Sequence, residues 1–250
     1  MSRRPRVAVI LAAGLGRRLA PLTDTVPKAL VAVDGRTLLE RSLAALARAS
    51  FREVVIVTGH REDLVREFVA TRPWAMRVTC RFNPRFDTAN NVVSLLTAAE
   101  GVSGAFCLLN SDTLFDPEIL VELAERPGGS WLVVDHDEPL GEEEMKVQLD
   151  PDGFVRRISK TLAPEASHGE YIGLARFDDA GAATVVDSAR RLVAEGRTEL
   201  YYEDAIDQVA ADLELRSHPV GGRVWTEVDD LQDFERALAV AAAIDGEGSP

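Results

Sequence analysis

The sequence predicts an α/β fold, built on a mostly parallel sheet with helices on both faces and extended by a small β-hairpin insertion. Continuous apolar runs rich in β-branched residues, the first at residues 7–11, are typical of strands buried on both faces. Segments with apolar residues at helical spacing alternate with these runs, and this alternation favours a parallel sheet. With 250 residues, 46% of them hydrophobic and 28% charged, the chain suits one domain with its own core.

The first half of the chain alternates strand and helix. A turn at Asp34-Gly35 precedes the first helix, whose leucines recur at helical spacing. A later helix begins after Asp116, a favoured N-cap residue, with Pro117 in its first turn. The predicted strands cover residues 7–11, 53–57, 77–82, 105–109 and 130–135. The first helix covers residues 38–46, and two more helices, at 63–70 and 90–99, precede the one that begins after Asp116.

The second half departs from this alternation after Glu138. Strands at residues 146–149 and 154–158 flank Asp152-Gly153, which predicts a hairpin. A closing helix begins near Leu231, and residues 1–5 and 245–250 are expected to form flexible tails. Between the hairpin and that helix we predict a strand at 171–177, helices at 178–195 and 203–212, and strands at 213–218 and 224–228. The whole pattern is that of a Rossmann-like sheet.

Charge and composition exclude several classes of protein. The formal net charge of -13 argues against a protein that binds nucleic acid by neutralising phosphates. No apolar stretch has the length needed to span a bilayer. Cys80 and Cys107 lie in apolar, strand-like runs, where reduced thiols fit better than a disulfide, although the sequence alone leaves a disulfide open. We therefore expect a cytoplasmic protein with no nucleic-acid or membrane partner.

The strongest functional pattern runs from Leu11 to Thr23. It reads LAAGLGRRLAPLT and is followed by Pro27-Lys28. A strand that exits into small residues lets backbone N–H groups approach phosphate oxygens, and Arg18 and Lys28 add positive charge. The P-loop pattern Gly-Lys-Ser/Thr is absent, and the third glycine of a dinucleotide fingerprint is replaced. A phosphate-binding loop of another type is indicated, with a plain strand-to-helix turn as the alternative.

This segment resembles the signature of the sugar-1-phosphate nucleotidylyltransferase superfamily, in which a serine or threonine stands at the position of Arg17. The resemblance implies that Lys28 contacts the triphosphate and stabilises charge during transfer, with Arg18 beside it. It implies one nucleotidyltransferase domain over residues 1–250, in which residues 138–218 form the acceptor side. The loop residues expected to bind the nucleotide are Leu11, Ala12, Ala13, Gly14 and Gly16.

Two acidic positions carry the predicted metal site. Asp112 follows an apolar strand, at the end of the strand where ligands bind in open α/β sheets; a turn or cap aspartate is the alternative. Residues 225–234, WTEVDDLQDF, resemble the late acidic motif of the superfamily. That resemblance makes Asp229 the second metal ligand, with Asp230 as the alternative, since one of the two caps the last helix. The implied cofactor is Mg²⁺, which carboxylates and phosphate oxygens bind together.

Lysine occurs at only three of the 28 basic positions. Besides Lys28, Lys146 opens the first strand of the hairpin and Lys160 follows the second. Both match the superfamily pattern of Lys-Val, then Asp-Gly, then Ser-Lys, which implies that Lys146 or Lys160 steadies the acceptor phosphate. Lys146 is therefore a predicted catalytic residue. The alternative is that both are solvent-facing lysines of edge strands.

Residues 83–95, NPRFDTANNVVSL, resemble one branch of the superfamily, which contains bacterial phosphocholine and phosphonoalkyl cytidylyltransferases. The resemblance implies that Asn90 or Asn91 contacts the base or ribose through its amide, with Ser94 in the same nucleotide-binding stretch. The other asparagine is then free to cap a helix.

Acceptors in that branch often carry a cationic amine, which aromatic faces and carboxylates can hold. For each aromatic residue, ordinary core packing is the alternative. The side chains expected to bind the acceptor are Lys160, Glu170, Tyr171, Tyr202, Glu203 and Trp225.

The resemblance as a whole implies Mg²⁺-dependent transfer of CMP from CTP to a small phosphate or phosphonate acceptor, resembling phosphocholine or an aminoalkylphosphonate, with release of pyrophosphate. No nucleophile–base pair is evident, so a covalent mechanism is not expected. The alternatives are a hexose-1-phosphate nucleotidylyltransferase using UTP, dTTP or GTP, and a non-catalytic nucleotide-binding protein. The oligomeric state is open, and a homodimer is compatible with the sequence.

Overall fold

The computed structural model describes residues 6–247 of the chain, in which a central sheet carries helices on both faces. The strands are Val7–Ala12 (β1), Ala32–Val33 (β2), Arg36–Thr37 (β3), Glu53–Thr58 (β4), Arg77–Phe82 (β5), Phe106–Asn110 (β6), Thr113–Phe115 (β7), Ser130–Asp135 (β8), Lys146–Leu149 (β9), Val155–Ser159 (β10), Gly169–Phe177 (β11), Leu215–Pro219 (β12) and Trp225–Glu227 (β13). The helices are Leu38–Arg48 (α1), Glu62–Ala70 (α2), Asn91–Ala99 (α3), Pro117–Glu125 (α4), Asp179–Ala194 (α5), Tyr202–Ala210 (α6) and Leu231–Glu247 (α7). The predicted α/β class is confirmed.

The main sheet has nine strands within residues 6–247. At its centre β1 lies between β4 and β6, and β5 flanks β4, all of them parallel. β11 pairs antiparallel with β6, β8 and β9, and β9 and β10 form the predicted hairpin at that edge. β12 returns parallel to β8. The carboxyl ends of β1 and β6 therefore lie side by side, where ligands bind in sheets of this kind.

The two faces of β1 explain its unbroken apolar sequence. Ala8, Ile10 and Ala12 pack in one core cluster, which includes apolar side chains of α1, α2 and α4. Val9 and Leu11 point the other way, into a cluster with α3, α5 and α6. Because successive side chains of a strand alternate between faces, a strand covered on both sides is apolar throughout.

A third, smaller core cluster joins the start of the chain to its end. Leu19 and Val31, from the segment after β1, pack with Leu114 of β7 and with Ala237 of α7. Val228, which lies just before α7, belongs to the same cluster. The last helix is thereby held against the loop that leaves the central strand.

The closing helix is longer than predicted. It continues to Glu247, so residues 245–247, which were expected in a flexible tail, are helical. Asp245 accepts hydrogen bonds from the buried guanidinium of Arg41 at 2.9 and 3.2 Å, which fixes this last turn. The tails predicted at residues 1–5 and 248–250 lie outside the described residues. Cys107 is buried in β6 and Cys80 is half-buried in β5, both as free thiols.

Candidate active site

A first cleft of about 300 Å³ opens at the carboxyl ends of β1 and β6. Residues predicted to bind the nucleotide line it, with the exception of Gly16, and Lys28 and Asp112 close one side. The lining residues are Leu11, Ala12, Ala13, Gly14, Leu15, Lys28, Phe86, Ala89, Asn90, Asn91, Ser94, Asn110, Ser111 and Asp112. The loop after β1 and the start of α3 therefore face each other across one cleft.

Gly16 shapes the loop without lining the cleft. Its φ is +63°, a left-handed conformation that favours glycine. An added Cβ would lie 3.0 Å from Thr23 Cγ2 and 3.1 Å from Lys28 Cβ. The hydroxyl of Thr23 donates to the Gly16 carbonyl at 2.8 Å and ties the two ends of the loop together. The loop is therefore folded back on the stem of Lys28.

Lys28 lies between the two aspartates that were predicted as metal ligands. Its ammonium donates to Asp112 Oδ2 at 2.6 Å and to Asp229 Oδ1. Lys28 is 8% exposed, so this contact is shielded from water. Arg18 is largely exposed and donates to the other oxygen of Asp229 at 2.6 Å. Two cations and two carboxylates thus form one continuous cluster.

A short ribbon of two strands brings the aspartates together. β7 pairs antiparallel with β13, with Thr113 opposite Glu227. The pairing extends one step further, because the N–H of Val228 donates to the carbonyl of Asp112 at 3.0 Å. Asp112 and Asp229 therefore flank the same end of the ribbon, although they are far apart in sequence.

Burial and neighbouring charges shift the pKa values of Lys28, Asp229 and the nearby Glu227. Burial alone would lower the pKa of Lys28, but Asp112 and Asp229 outweigh it and hold that pKa above its usual value. Burial would raise the pKa of Asp229, yet Lys28 lowers it below the ordinary range. Burial, followed by the charges of Asp112 and Asp229, raises the pKa of Glu227 to about 8. Lys28 is therefore charged at neutral pH.

The donor set suits a divalent ion shared with phosphate. Asp112 and Asp229 both contact the Lys28 ammonium, so their carboxylates converge on one point. Among residues 6–247, no three histidine, cysteine or acidic side chains are grouped to hold a metal ion by themselves. Mg²⁺ is commonly bound through one or two carboxylates together with substrate phosphates, and the pair fits that mode.

A second cleft, of about 750 Å³, lies on the other side of this cluster. Asp229 and Arg18 form part of its wall. It is also lined by Lys160, Glu170 and Trp225, three of the residues expected to bind the acceptor. Its acidic lining residues are Asp135, Asp137, Glu138, Glu143, Glu144, Glu170, Glu227, Asp229, Asp230 and Asp233, against the basic residues Arg18, Lys160, Arg223 and Arg236. The second cleft is therefore strongly acidic.

Within the second cleft, Trp225 and Glu170 both lie near Asp135. The indole N–H of Trp225 donates to Asp135 Oδ2 at 2.5 Å, which fixes the ring in the wall. Burial, followed by the charges of Glu144 and Asp135, raises the pKa of Glu170 to about 7. A cation that entered here would relieve the repulsion among these carboxylates.

Lys146 does not line either cleft, contrary to its predicted catalytic role. The residue is fully buried, and its ammonium donates to three backbone carbonyls at 2.9 to 3.1 Å. Those carbonyls belong to Gly141, Glu142 and Glu144. With three donors used, Lys146 fastens the acidic loop before β9. Of the two lysines considered for the acceptor, only Lys160 lines the second cleft.

Three further residues predicted to contact the acceptor are buried instead. Tyr171 and Tyr202 belong to the core, where their rings meet edge to face at 6.4 Å and their hydroxyls lie 3.0 Å apart. The Tyr202 hydroxyl also donates to Asn110 Oδ1 at 3.1 Å. Glu203 is 5% exposed, and its Oε2 has no hydrogen-bond partner in the described part of the chain. The predicted aromatic contacts with the acceptor therefore reduce to Trp225.

The sequence left open a choice between Asn90 and Asn91 and another between Asp229 and Asp230. In the structure, the two members of each pair make different contacts. Asn90 caps α3, since its Oδ1 accepts from the N–H of Asn91 and its Nδ2 donates to the carbonyl of Glu199. Asp230 caps α7 by accepting from the N–H groups of residues 232 and 233. Asn91 and Asp229 are thus the members of each pair that line a cleft without capping the helix that begins beside them.

Sequence analysis missed Asp135 and Asn110. Each is the last residue of a buried strand, β8 and β6 respectively, and each lines a cleft. The criterion that singled out Asp112, a polar side chain at the carboxyl end of an apolar strand, would have found both.

In the part of the chain that the structure describes, none of the helices combines the length and the apolar character that crossing a bilayer requires.

A small-residue loop at the centre of a parallel sheet, opposite an acidic pair bridged by lysine, provides what phosphate chemistry on a nucleotide requires. The fold and the site together define a nucleotidyltransferase as the class of protein.

Comparison with known proteins gives the family. The chain belongs to the family described as the MobA-like NTP transferase domain, whose model matches residues 8–149. This family is enzymatic, and the predicted resemblance to nucleotidyltransferases is confirmed.

Among curated relatives, the chain is 31% identical over 246 residues to CMP-5'-(3-aminopropyl)phosphonate synthase of Streptomyces rubellomurinus, covering 93% of this chain and 38% of that protein. It is 27% identical to 2-aminoethylphosphonate cytidylyltransferase of Lancefieldella rimae, covering 91% and 89%. The chain thus spans well under half the length of the Streptomyces protein.

Among solved structures, CTP:phosphocholine cytidylyltransferase from Streptococcus pneumoniae aligns with a TM-score of 0.78 at 23% identity, covering 94% of this chain and 99% of that one. That likeness supports the fold.

Proposed function

We propose that this protein transfers CMP from CTP to a small phosphate or phosphonate acceptor and releases pyrophosphate. The observation that carries the proposal is the junction of the two clefts at Lys28, Asp112 and Asp229. The first cleft offers small residues and backbone to a triphosphate, and the second offers room for an acceptor. The relatives named for phosphonate and cytidylyl chemistry support the same assignment.

The reaction is an in-line displacement at phosphorus. An oxygen of the acceptor forms a new bond to the α-phosphorus of CTP, and the bond from that phosphorus to the bridging oxygen of pyrophosphate breaks. Pyrophosphate leaves with the electron pair. Because the attacking phosphate or phosphonate is already an anion near neutral pH, no general base is needed. Catalysis then depends on positioning and on neutralising negative charge.

The residues of the cluster divide these tasks. Lys28 and Arg18 would neutralise the β- and γ-phosphates once the nucleotide displaces their contacts with Asp229. Asp112 and Asp229 would hold Mg²⁺, which supplies charge neutralisation at the α-phosphate when it is bound. The backbone of residues 11–14 would line the nucleotide, and Lys160 would bind the acceptor anion.

The acidic lining of the second cleft favours an acceptor with a cationic amine. Lys160 provides a positive group for the phosphonate, while Glu170 and Asp135 lie in a wall with Trp225. A carboxylate cluster beside an aromatic face is a suitable environment for ammonium or quaternary ammonium. We therefore favour aminoalkylphosphonates or phosphocholine over a hexose-1-phosphate, which carries no positive charge.

The direct test is pyrophosphate release with CTP, UTP, dTTP and GTP, each combined with 2-aminoethylphosphonate, phosphocholine and glucose-1-phosphate. We expect turnover with CTP and an amine-bearing acceptor, and a loss of at least about a hundredfold in Asp112→Asn. Asp187→Asn, on the exposed face of α5, is the matched control and should keep wild-type turnover. Turnover with glucose-1-phosphate alone would contradict the acceptor assignment, and nucleotide binding without turnover would contradict catalysis.

The acceptor's amine is tested separately with Glu170→Gln. We expect the KM for 2-aminoethylphosphonate to rise about tenfold, because a charged hydrogen bond is lost, while the KM for ethylphosphonate stays the same. Equal changes for the two acceptors would mean that Glu170 does not bind the amine.

A further inference from the structure

Two polar side chains lie one turn apart on the face of α3 that lines the first cleft. They are Asn91, the first residue of the helix, and Ser94. Residues three apart on a helix share a face, so one ligand can contact both. The hydrogen bonds that each already makes decide which of its atoms a ligand can use.

Asn91 is fixed by the backbone of α6. Its Oδ1 accepts a hydrogen bond of 2.7 Å from the N–H of Tyr202. A backbone N–H can only donate, so the carbonyl end of the amide must face Tyr202. The other end, Nδ2, makes no hydrogen bond within residues 6–247. Asn91 therefore offers a ligand a donor.

Ser94 is oriented by a buried asparagine. The Oδ1 of Asn83 accepts from the N–H of Arg85 at 2.9 Å, which fixes the direction of that amide. Its Nδ2 then donates to the Ser94 hydroxyl oxygen at 3.0 Å, and Asn83 is 1% exposed. The Ser94 proton has no acceptor in the described part of the chain, so it can be donated into the cleft.

We propose that Asn91 and Ser94 form a pair of donors that selects cytosine over uracil in the first cleft. Cytosine presents two adjacent acceptors, O2 and N3, whereas uracil carries a proton on N3. A uracil in the same pose would set donor against donor and leave buried polar groups unpaired, which is strongly unfavourable. Asn83 is a positioning residue in this arrangement, since it acts through Ser94. The inference rests on the proposed use of the first cleft by a nucleotide.

The central experiment replaces the free donor by an acceptor of the same shape. In Asn91→Asp, one carboxylate oxygen keeps the contact with the N–H of Tyr202 and the other faces the ligand. We expect the ratio of CTP to UTP affinity, measured by calorimetric titration with Mg²⁺ present, to fall by about tenfold or more. The kcat/KM ratio for the two nucleotides should fall in parallel.

Two further variants separate selection from folding. Ser94→Ala should weaken CTP and leave UTP little changed, because one donor is removed and nothing is gained for uracil. Asn83→Asp gives the Ser94 proton an acceptor away from the cleft and should lower the CTP preference without touching the ligand. Thr97→Val, one turn further along α3 and outside the cleft lining, is the matched control and should keep the wild-type ratio. Melting temperatures confirm that each variant is folded.

The outcomes are distinct. An unchanged CTP to UTP ratio in folded Asn91→Asp overturns the inference, as does a wild-type protein that binds both nucleotides equally well and turns both over. A wild-type protein that binds no nucleoside triphosphate overturns the proposed function as well.

Discussion

Lys28 and Lys146 are both buried lysines, but their ammonium groups have different partners. Lys28 faces two carboxylates at the junction of the clefts, where a ligand can replace those contacts. Lys146 faces three backbone carbonyls, which no ligand replaces. A buried ammonium beside acids is available for function, whereas one enclosed by carbonyls holds a loop in place.

Paired substitutions test this difference. Lys146→Met leaves three carbonyls unpaired, so we expect a loss of stability of about 2 kcal/mol or more, with kcat retained at saturating acceptor. Lys28→Met should lower kcat by at least about a hundredfold. Thermal unfolding and steady-state pyrophosphate release measure the two effects. If Lys146→Met melted like the wild type and lost its kcat, Lys146 would be a catalytic residue after all.

Glu203 makes the stability of the protein depend on pH. Burial raises its pKa to about 7 from the ordinary value of 4.5. As pH rises above 4.5 the unfolded chain releases this proton while the folded protein keeps it, so this group lowers stability between about pH 4.5 and pH 7. Above that range both states are ionised and the penalty stays constant.

Replacing Glu203 by glutamine removes this penalty. We expect Glu203→Gln to be more stable than the wild type by up to roughly 3 kcal/mol at about pH 8, and nearly equal to it at about pH 4.5. Urea unfolding at the two pH values gives the comparison. A difference that is the same at both would show that ionisation of Glu203 is not its cause.

At the scale of elements, the start of α7 places a capping aspartate beside Asp229, the proposed metal ligand. Asp230 accepts from two N–H groups of the first turn, while the backbone of Asp229 is held by the carboxylate of Asp233 at 3.0 Å. The side chain of Asp229 is thereby left to meet Lys28 and Arg18.

Substitution of the two neighbours should separate stability from activity. Asp230→Ala loses the cap and should lower the free energy of unfolding by about 1 kcal/mol with turnover retained. Asp229→Asn should instead leave the melting temperature almost unchanged and cause a large loss of kcat. If Asp230→Ala lost turnover and Asp229→Asn retained it, Asp230 would be the metal ligand and Asp229 would not.

The sequence predicted which segments form strands better than it predicted which segments lie next to each other in the folded protein. The apolar run of β1 and the hairpin at Asp152-Gly153 follow from local patterns, and the structure has both. Of the ribbon, β13 lies within the strand predicted at residues 224–228, whereas the three residues of β7 are too few for a period to be evident, and that strand was not predicted. Without β7 and its pairing with β13, pattern alone could not bring Asp112 beside Asp229; only the resemblance implied it.

The sequence also could not predict which of the expected site residues turn their side chains into the core rather than toward a cleft. Lys146 matches the superfamily pattern in sequence, yet it is enclosed by the acidic loop just before β9. Tyr171 and Tyr202 were expected at the acceptor, but both pack within the core. Burial of a single polar or aromatic residue depends on the packing of distant elements, which a local pattern does not contain.

For the whole molecule, the cluster at the junction connects segments from both ends of the chain. The loop after β1 and the start of α7 share the third core cluster and the contacts of Lys28 with Asp229. Ligand binding at the first cleft should therefore stabilise both segments at once.

We expect CTP with Mg²⁺ at a hundredfold excess over its Kd to stabilise the protein by about 2.7 kcal/mol. Hydrogen exchange should slow together in residues 14–23 and 228–231. CTP without a divalent ion should protect residues 228–231 less. Protection confined to residues 14–23 would contradict a shared site.

The ammonium between Asp112 and Asp229 acts as a built-in counter-ion. Chelator treatment should leave the melting temperature of the ligand-free protein unchanged, because the carboxylates do not depend on an added cation to offset their repulsion. A divalent ion arriving alone has to displace that ammonium, so its affinity should be weak until phosphates are present to receive Lys28. Loading of ion and nucleotide should consequently be cooperative.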